Sequence, residues 1–138
     1  MSYLMDTCTV CELGKPNPNR KVRDVLLELP REEIYLSTIS LGEIQYGIDT
    51  HPNPNEKIRL EKWLNVSILA VFGNRMIDVN TVVALRWGRL IAELKSRGQK
   101  MQTQDSLIAA TALEFGHTLI TRNEKDFASS GVHVFNPW

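Results

Sequence analysis

The residues of this sequence with the most chemistry to offer are acids standing beside short apolar runs. Asp6 directly follows Tyr3-Leu4-Met5. Glu43 comes after Ile34-Tyr35-Leu36-Ser37, Asp105 precedes the stretch from Ser106 to Phe115, and Asn123 and Asp126 follow Thr118-Leu119-Ile120-Thr121. If a fold gathers these carboxylates, they repel one another and must separate or take up protons. A hard divalent cation removes that penalty: Mg²⁺ or Mn²⁺ prefers oxygen ligands, keeps several waters and suits reactions at phosphates. One or two such ions can activate water, neutralise charge building on a phosphate and stabilise the leaving oxygen.

Local roles compete with this reading at each position. Asp6 suits the N-cap of a helix beginning at Thr7. Ser40-Leu41-Gly42-Glu43 has the spacing of a capping box, with Ile39 and Ile44 placed as its hydrophobic staple and Glu43 in the opening helical turn. Asp105 at the start of a helix complements the dipole there. Asn123 suits an N-cap, with Asp126 three residues on, where acids are favoured. Asp49 and Asp78 read as solvated or capping groups. The case for a site is the joint placement of the acids, not any one of them.

The elements that must position them alternate. Tyr3–Met5, Ile34–Ser37, Arg75–Val79, Thr118–Thr121 and Val132–Phe135 read as strands. Between them, Val22, Val25, Leu26 and Leu29 form a helical stripe stopped by Pro30. Ile58, Leu60, Trp63, Leu64, Ile68 and Leu69 mark a longer helix, and Leu85, Leu90, Ile91 and Leu94 another that ends near Gly98. Ile108, Ala112 and Phe115 face one way on a helix closed by Gly116. Two helices fall between the second and third strands, with His51-Pro52-Asn53-Pro54-Asn55 as their break. Alternation of this kind predicts a mostly parallel sheet of about five strands with crossover helices. In such sheets, sites form beyond the carboxyl ends of the strands where strand order reverses, and that is where these acids fall.

With 138 residues, the chain is expected to form one domain spanning 1–138, large enough to hold a core without disulfides. The formal net charge is zero. That excludes binding to nucleic acid by bulk positive charge, but not a nuclease whose positive charge comes from bound metal. Neither an export signal nor a membrane-spanning run is visible, so a cytoplasmic protein with reduced Cys8 and Cys11 is expected.

Four motifs resemble those of PIN-domain ribonucleases, and in particular the FitB-like branch of the VapC toxin family. Met5-Asp6-Thr7 resembles the family's opening. Ser37-Thr38-Ile39-Ser40-Leu41-Gly42-Glu43-Ile44-Gln45-Tyr46-Gly47 resembles its second motif, Asp105-Ser106-Leu107-Ile108-Ala109-Ala110-Thr111-Ala112 its third and Thr121-Arg122-Asn123-Glu124-Lys125-Asp126-Phe127 its fourth. They come in family order, and the tail Val134-Phe135-Asn136-Pro137-Trp138 resembles the ending of FitB-like members. The resemblance implies a three-layer α/β/α fold with strand order 3-2-1-4-5. It further implies an Mg²⁺- or Mn²⁺-dependent endoribonuclease, the toxin of a VapBC-like pair, leaving 5′-phosphate and 3′-hydroxyl ends. Carried onto this chain, Asp6 and Asp105 become the main metal ligands and Glu43 helps bind metal or position water. Asp126 is taken as the fourth carboxylate, with Asn123 as its polar neighbour. Thr7 and Thr121 either bond carboxylates or a substrate phosphate, or are ordinary strand-end hydroxyls. The implied partners are RNA, a VapB-like antitoxin whose arginine reaches the carboxylates, and a second copy of the chain in a homodimer. Trp63 and Trp87 would serve such an interface or the core. Arg86, Arg89, Arg97 and Lys100 would steer RNA or form a solvated helix face.

Other chemistry fits less well. Cys8-Thr9-Val10-Cys11 opens a helix as a redox pair would, but buried or half-buried thiols are the plainer reading. Two cysteines cannot complete a zinc site, and His51, His117 and His133 lack ligand spacing. No glycine-rich phosphate loop or serine elbow is present. A phosphoacceptor receiver domain shares the sheet but needs an adjacent acidic pair where this chain has Asp6-Thr7. The remaining alternative is a PIN scaffold that binds RNA or a protein without cutting.

Overall fold

Five strands, β1 (Tyr3–Met5), β2 (Ile34–Ser37), β3 (Met76–Ile77), β4 (Thr118–Ile120) and β5 (Val134–Phe135), form one parallel sheet in the order β3-β2-β1-β4-β5. The computed structural model describes residues 1–138. β1 lies at the centre, with Met5 in register with Leu36 on one side and Ile120 on the other. The chain moves outward from β1 through β2 to β3, then crosses back to place β4 on the other flank. The reversal therefore falls between β1 and β4.

Alternate strand residues serve opposite faces, as a pleated strand requires. Met5, Leu36 and Ile120 pack with Val10, Val22, Leu26, Ile44, Ile48, Leu64, Ile68 and Phe72 on one side. These come from α1 (Thr7–Leu13), α2 (Arg20–Glu28), α3 (Thr38–Asp49) and a long helical run. That run begins as α4 (Pro54–Trp63), passes through a π-helical stretch at Leu64–Leu69 and ends in α5 (Ala70–Phe72). Leu4 and Leu119 turn to the other side, against α6 (Thr81–Ser96), α7 (Thr103–Phe115) and Phe127 of the short α8 (Glu124–Phe127). Ala109, Ala110 and Ala112 of α7 are fully buried, and their small side chains let that helix lie close to both the sheet and α6. The result is the expected α/β/α layering.

Several boundaries differ from the sequence reading. β3 and β5 are two-residue strands at the two edges, because each pairs on one side only and the ladder ends where the partner strand ends. The capping box expected at Ser40 does not form. Ser37 is the N-cap of α3, its hydroxyl accepting from the Ile39 amide, so Ser40 already lies inside the helix and Glu43 is one turn further along. α7 starts at Thr103, with Asp105 inside its first turn.

Candidate active site

Asp6 leaves the sheet at the carboxyl end of β1 with its backbone amide still bonded to the Ile120 carbonyl of β4. Its side chain is buried, and all the bonds that hold it are local consequences of this topology. Oδ1 accepts from the Thr7 amide at 2.8 Å, making Asp6 the N-cap of α1. Oδ2 accepts from the Thr121 hydroxyl at 2.7 Å and from the Cys8 thiol at 3.3 Å. The capping role and the bonds to Thr121 and Cys8 therefore belong to the same residue. Thr121, just past the end of β4, is fully buried and also accepts from the Asn123 amide, fixing the turn into α8. Burial and the Asp6 charge push the Cys8 thiol up from its usual range and keep it protonated.

Glu43 reaches the same rim from α3. The Thr7 hydroxyl donates to Glu43 Oε1 at 2.8 Å and lies 2.8 Å from the hydroxyl of the buried Ser40. With its proton given to Glu43, Thr7 accepts from Ser40. Thr7 and Thr121 are thus bound to carboxylates, and the reading of them as idle strand-end hydroxyls is set aside. Ser40 and Cys8 were not recognised as parts of this network. Their closeness in sequence to Glu43 and Asp6 is visible, but their partners, Thr7 and Thr121, come from other segments.

Asp105 and Asp126 complete the group from α7 and α8. They line a cavity of about 280 Å³ together with Lys100, Met101, Gln102, Lys125 and Ser129. The Asp105 carboxyl is pushed up to about 6 by loss of water, then by the charges of Asp6, Asp126 and Glu43. All four acids thus act on one point although they are distant in sequence. No lysine or arginine forms an ion pair with any of them; the chain's ion pairs lie elsewhere. Asn123 stands exposed at the N-cap position of α8 and makes no side-chain cap bond. Cys11 has an exposed surface on α1, yet loss of water around its thiol, then the nearby Cys8, Glu43 and Asp6, push it up to about 11, so it stays protonated.

The donor set suits a hard cation: acidic oxygens held in no ion pair, and a protonation cost already present at Asp105. The side chains do not form a closed cage, and no three acids, histidines or cysteines are drawn together tightly enough to enclose an ion. Mg²⁺ does not require one, because it usually keeps several waters and takes one or two protein carboxylates. The residues present therefore fit such an ion.

The family model described as PIN domain matches residues 3–131. Toxin FitB of Neisseria gonorrhoeae is 34% identical over 135 residues, covering 98% of this chain and 97% of that protein. VapC ribonuclease Y4jK of Sinorhizobium fredii is 27% identical over 135 residues, with 98% and 96% covered. Among solved structures, FitAcB from Neisseria gonorrhoeae superposes with a TM-score of 0.91 at 34% identity, covering 99% of this chain and 98% of that one. VapBC2 from Rickettsia felis, bound to a DNA fragment from its promoter, superposes with a TM-score of 0.78 at 26% identity, with 100% and 99% covered.

Proposed function

The chain belongs to the PIN-domain family, within the VapC toxins that include FitB, and from that premise we propose that it is a divalent-cation-dependent endoribonuclease, the toxin of a type II toxin–antitoxin pair. The observation that carries this reading is the convergence of Asp6, Glu43 and Asp126 on Asp105, none of them held in an ion pair although Lys100 and Lys125 line the same cavity.

In this reading Asp6 and Asp105 hold Mg²⁺ or Mn²⁺, with Glu43 and Asp126 beside them. The bound ion supplies a water made acidic enough to attack a phosphodiester and charge compensation at the phosphate. The chain's own residues prepare for this. Thr121, Cys8 and the Thr7 amide fix both oxygens of Asp6, so its carboxylate is pre-oriented. The Thr7 hydroxyl occupies Oε1 of Glu43 and leaves the other oxygen free to orient a water for in-line attack. Products would carry 5′-phosphate and 3′-hydroxyl ends. The partner is a small antitoxin whose arginine pairs with the carboxylates, and the toxin works as a homodimer in the cytoplasm on cellular RNA. No helix is long and apolar enough to cross a membrane.

The test is a mixed RNA pool incubated with wild type and Asp105→Asn in Mg²⁺, in Mn²⁺ and with excess chelator. Cleavage that needs the ion and disappears in Asp105→Asn is the expected result. No cleavage, together with no ion binding by calorimetry, would overturn the nuclease and leave a binding scaffold.

A further inference from the structure

A second cavity adjoins the acidic one. It measures about 350 Å³ and is walled by Ile91, Leu94, Lys95, Gln99, Lys100 and Met101, with Gly98 at the turn. Lys100 and Met101 also line the cavity that holds Asp105 and Asp126, so the two spaces share a wall. We propose that this second cavity receives one unpaired base of the RNA strand whose neighbouring phosphate reaches the carboxylates, a proposal that rests on the nuclease reading above.

Shape and chemistry favour that occupant. The volume is at the small end of ligand pockets, which run from about 300 to 1,000 Å³, and so takes a single ring system and not a folded strand. Its floor is apolar: Leu94 is buried, and Ile91 and Met101 are half-buried. Flat bases released from pairing bind to such surfaces through their faces. Gln99 is exposed on the rim, and its amide can both donate to and accept from a base edge. Lys95 and Lys100 are exposed and enter no ion pair, so their charge is free to meet phosphates. The order along the surface is apolar floor, lysine, acidic pocket. A nucleic-acid strand presents the matching order of base, linking phosphate and next phosphate.

The cavity is preformed by the way α6 ends. Gly98 takes φ +68, the left-handed conformation that favours glycine. The Gln99 amide then donates to the Leu94 carbonyl at 2.8 Å and the Gly98 amide to that of Lys95 at 3.0 Å, closing a Schellman turn. That turn stops the helix and carries Gln99, Lys100 and Met101 across to the start of α7, two residues before Asp105 enters its first turn.

The test uses single-stranded RNA carrying 4-thiouridine, with Ca²⁺ replacing Mg²⁺ during binding, and an abasic strand with the same number of phosphates. Irradiated wild type should crosslink within residues 91–101. The base-bearing strand should bind about tenfold more tightly than the abasic one, and Met101→Asp should remove most of that preference while Met101→Leu keeps it. Lys100→Ala should weaken both strands alike and lower the slope of log affinity against log salt by about 0.7. Crosslinks outside this wall, or an unchanged preference in folded Met101→Asp, while wild type still cuts RNA in Mg²⁺, would overturn the base pocket alone. Loss of both binding and cutting in wild type would overturn it together with the nuclease. The crosslink is read on wild type, so the answer does not depend on a variant folding.

Discussion

Asp105 carries a cost that the rest of the molecule does not relieve. Its carboxyl is raised to about 6 by burial and by three neighbouring carboxylates. A raised carboxyl contributes stability fully below its unfolded value, near 3.9, and loses it as pH rises through the folded value. The metal-free protein should therefore lose stability between about pH 4 and 6 through this group. We expect Asp105→Asn to raise the unfolding midpoint of the metal-free protein at pH 7 by about 3–6 °C, with the gain shrinking towards pH 4. Equal midpoints for both proteins at pH 7, by calorimetry, would show that the repulsion is not there. In the proposed reaction Thr121 is a positioning residue acting through Asp6. Thr121→Val keeps the shape but removes the 2.7 Å donor, and should weaken Mn²⁺ binding about tenfold to a hundredfold, with Thr121→Ser restoring it. An unchanged Mn²⁺ isotherm in Thr121→Val would contradict this. Asp6 and Asp105 could be singled out from their place beside apolar runs. Ser40 and Cys8 could not, because a hydroxyl or thiol is ordinary in a helix until its partner is known.

The helices show how much of the pattern was legible one element at a time. α2 stops before Pro30 and α7 at Gly116, where φ is +68, as proline and glycine chemistry predicts. The cap falls at Ser37 and not at Ser40, two serines that offer the same hydroxyl three residues apart. The β2 strand decides between them by ending at Ser37. The close approach of α1 and α4 had no sequence signal. A Cβ added at Gly14 would stand 2.7 Å from Cε2 of the Trp63 ring, a rigid neighbour with little room to yield. Gly14→Ala should cost about 1–3 kcal/mol, measured by urea unfolding, and shift the tryptophan emission. A variant as stable as wild type would mean that α4 moves freely against α1.

At the scale of the whole molecule, the proposed ion binding and folding are linked. At one hundred times its dissociation constant, a cation bound only by the folded form adds about 2.7 kcal/mol. Mn²⁺ should therefore raise Tm by about 5–10 °C, chelator should reverse the rise, and Asp105→Asn should abolish most of it. A rise of the same size in Asp105→Asn would place the ion elsewhere. The formal charge of zero gives the surface no bulk pull on RNA, so attraction has to be local, through free lysines such as Lys95 and Lys100. Arg86 lies 3.7 Å from Glu114 and Arg97 donates to the Ser129 carbonyl, so both are engaged within the chain, which favours the helix-face reading over RNA steering. By itself the sequence determined the strand and helix order, the two-faced apolar strands that require helices on both sides, and which acids follow strands. These depend on local periodicity and on residue type, which a linear chain displays. Only the tertiary structure decided which oxygen of Asp6 meets Thr121, that Thr7 spans to Glu43, and that the end of α6 makes a second cavity beside Asp105. Those contacts join segments up to 115 residues apart, and their geometry is set by how the strands pair, β1 with β4 for Asp6–Thr121 and β1 with β2 for Thr7–Glu43, and by how α6 ends, not by any residue's neighbours in the chain.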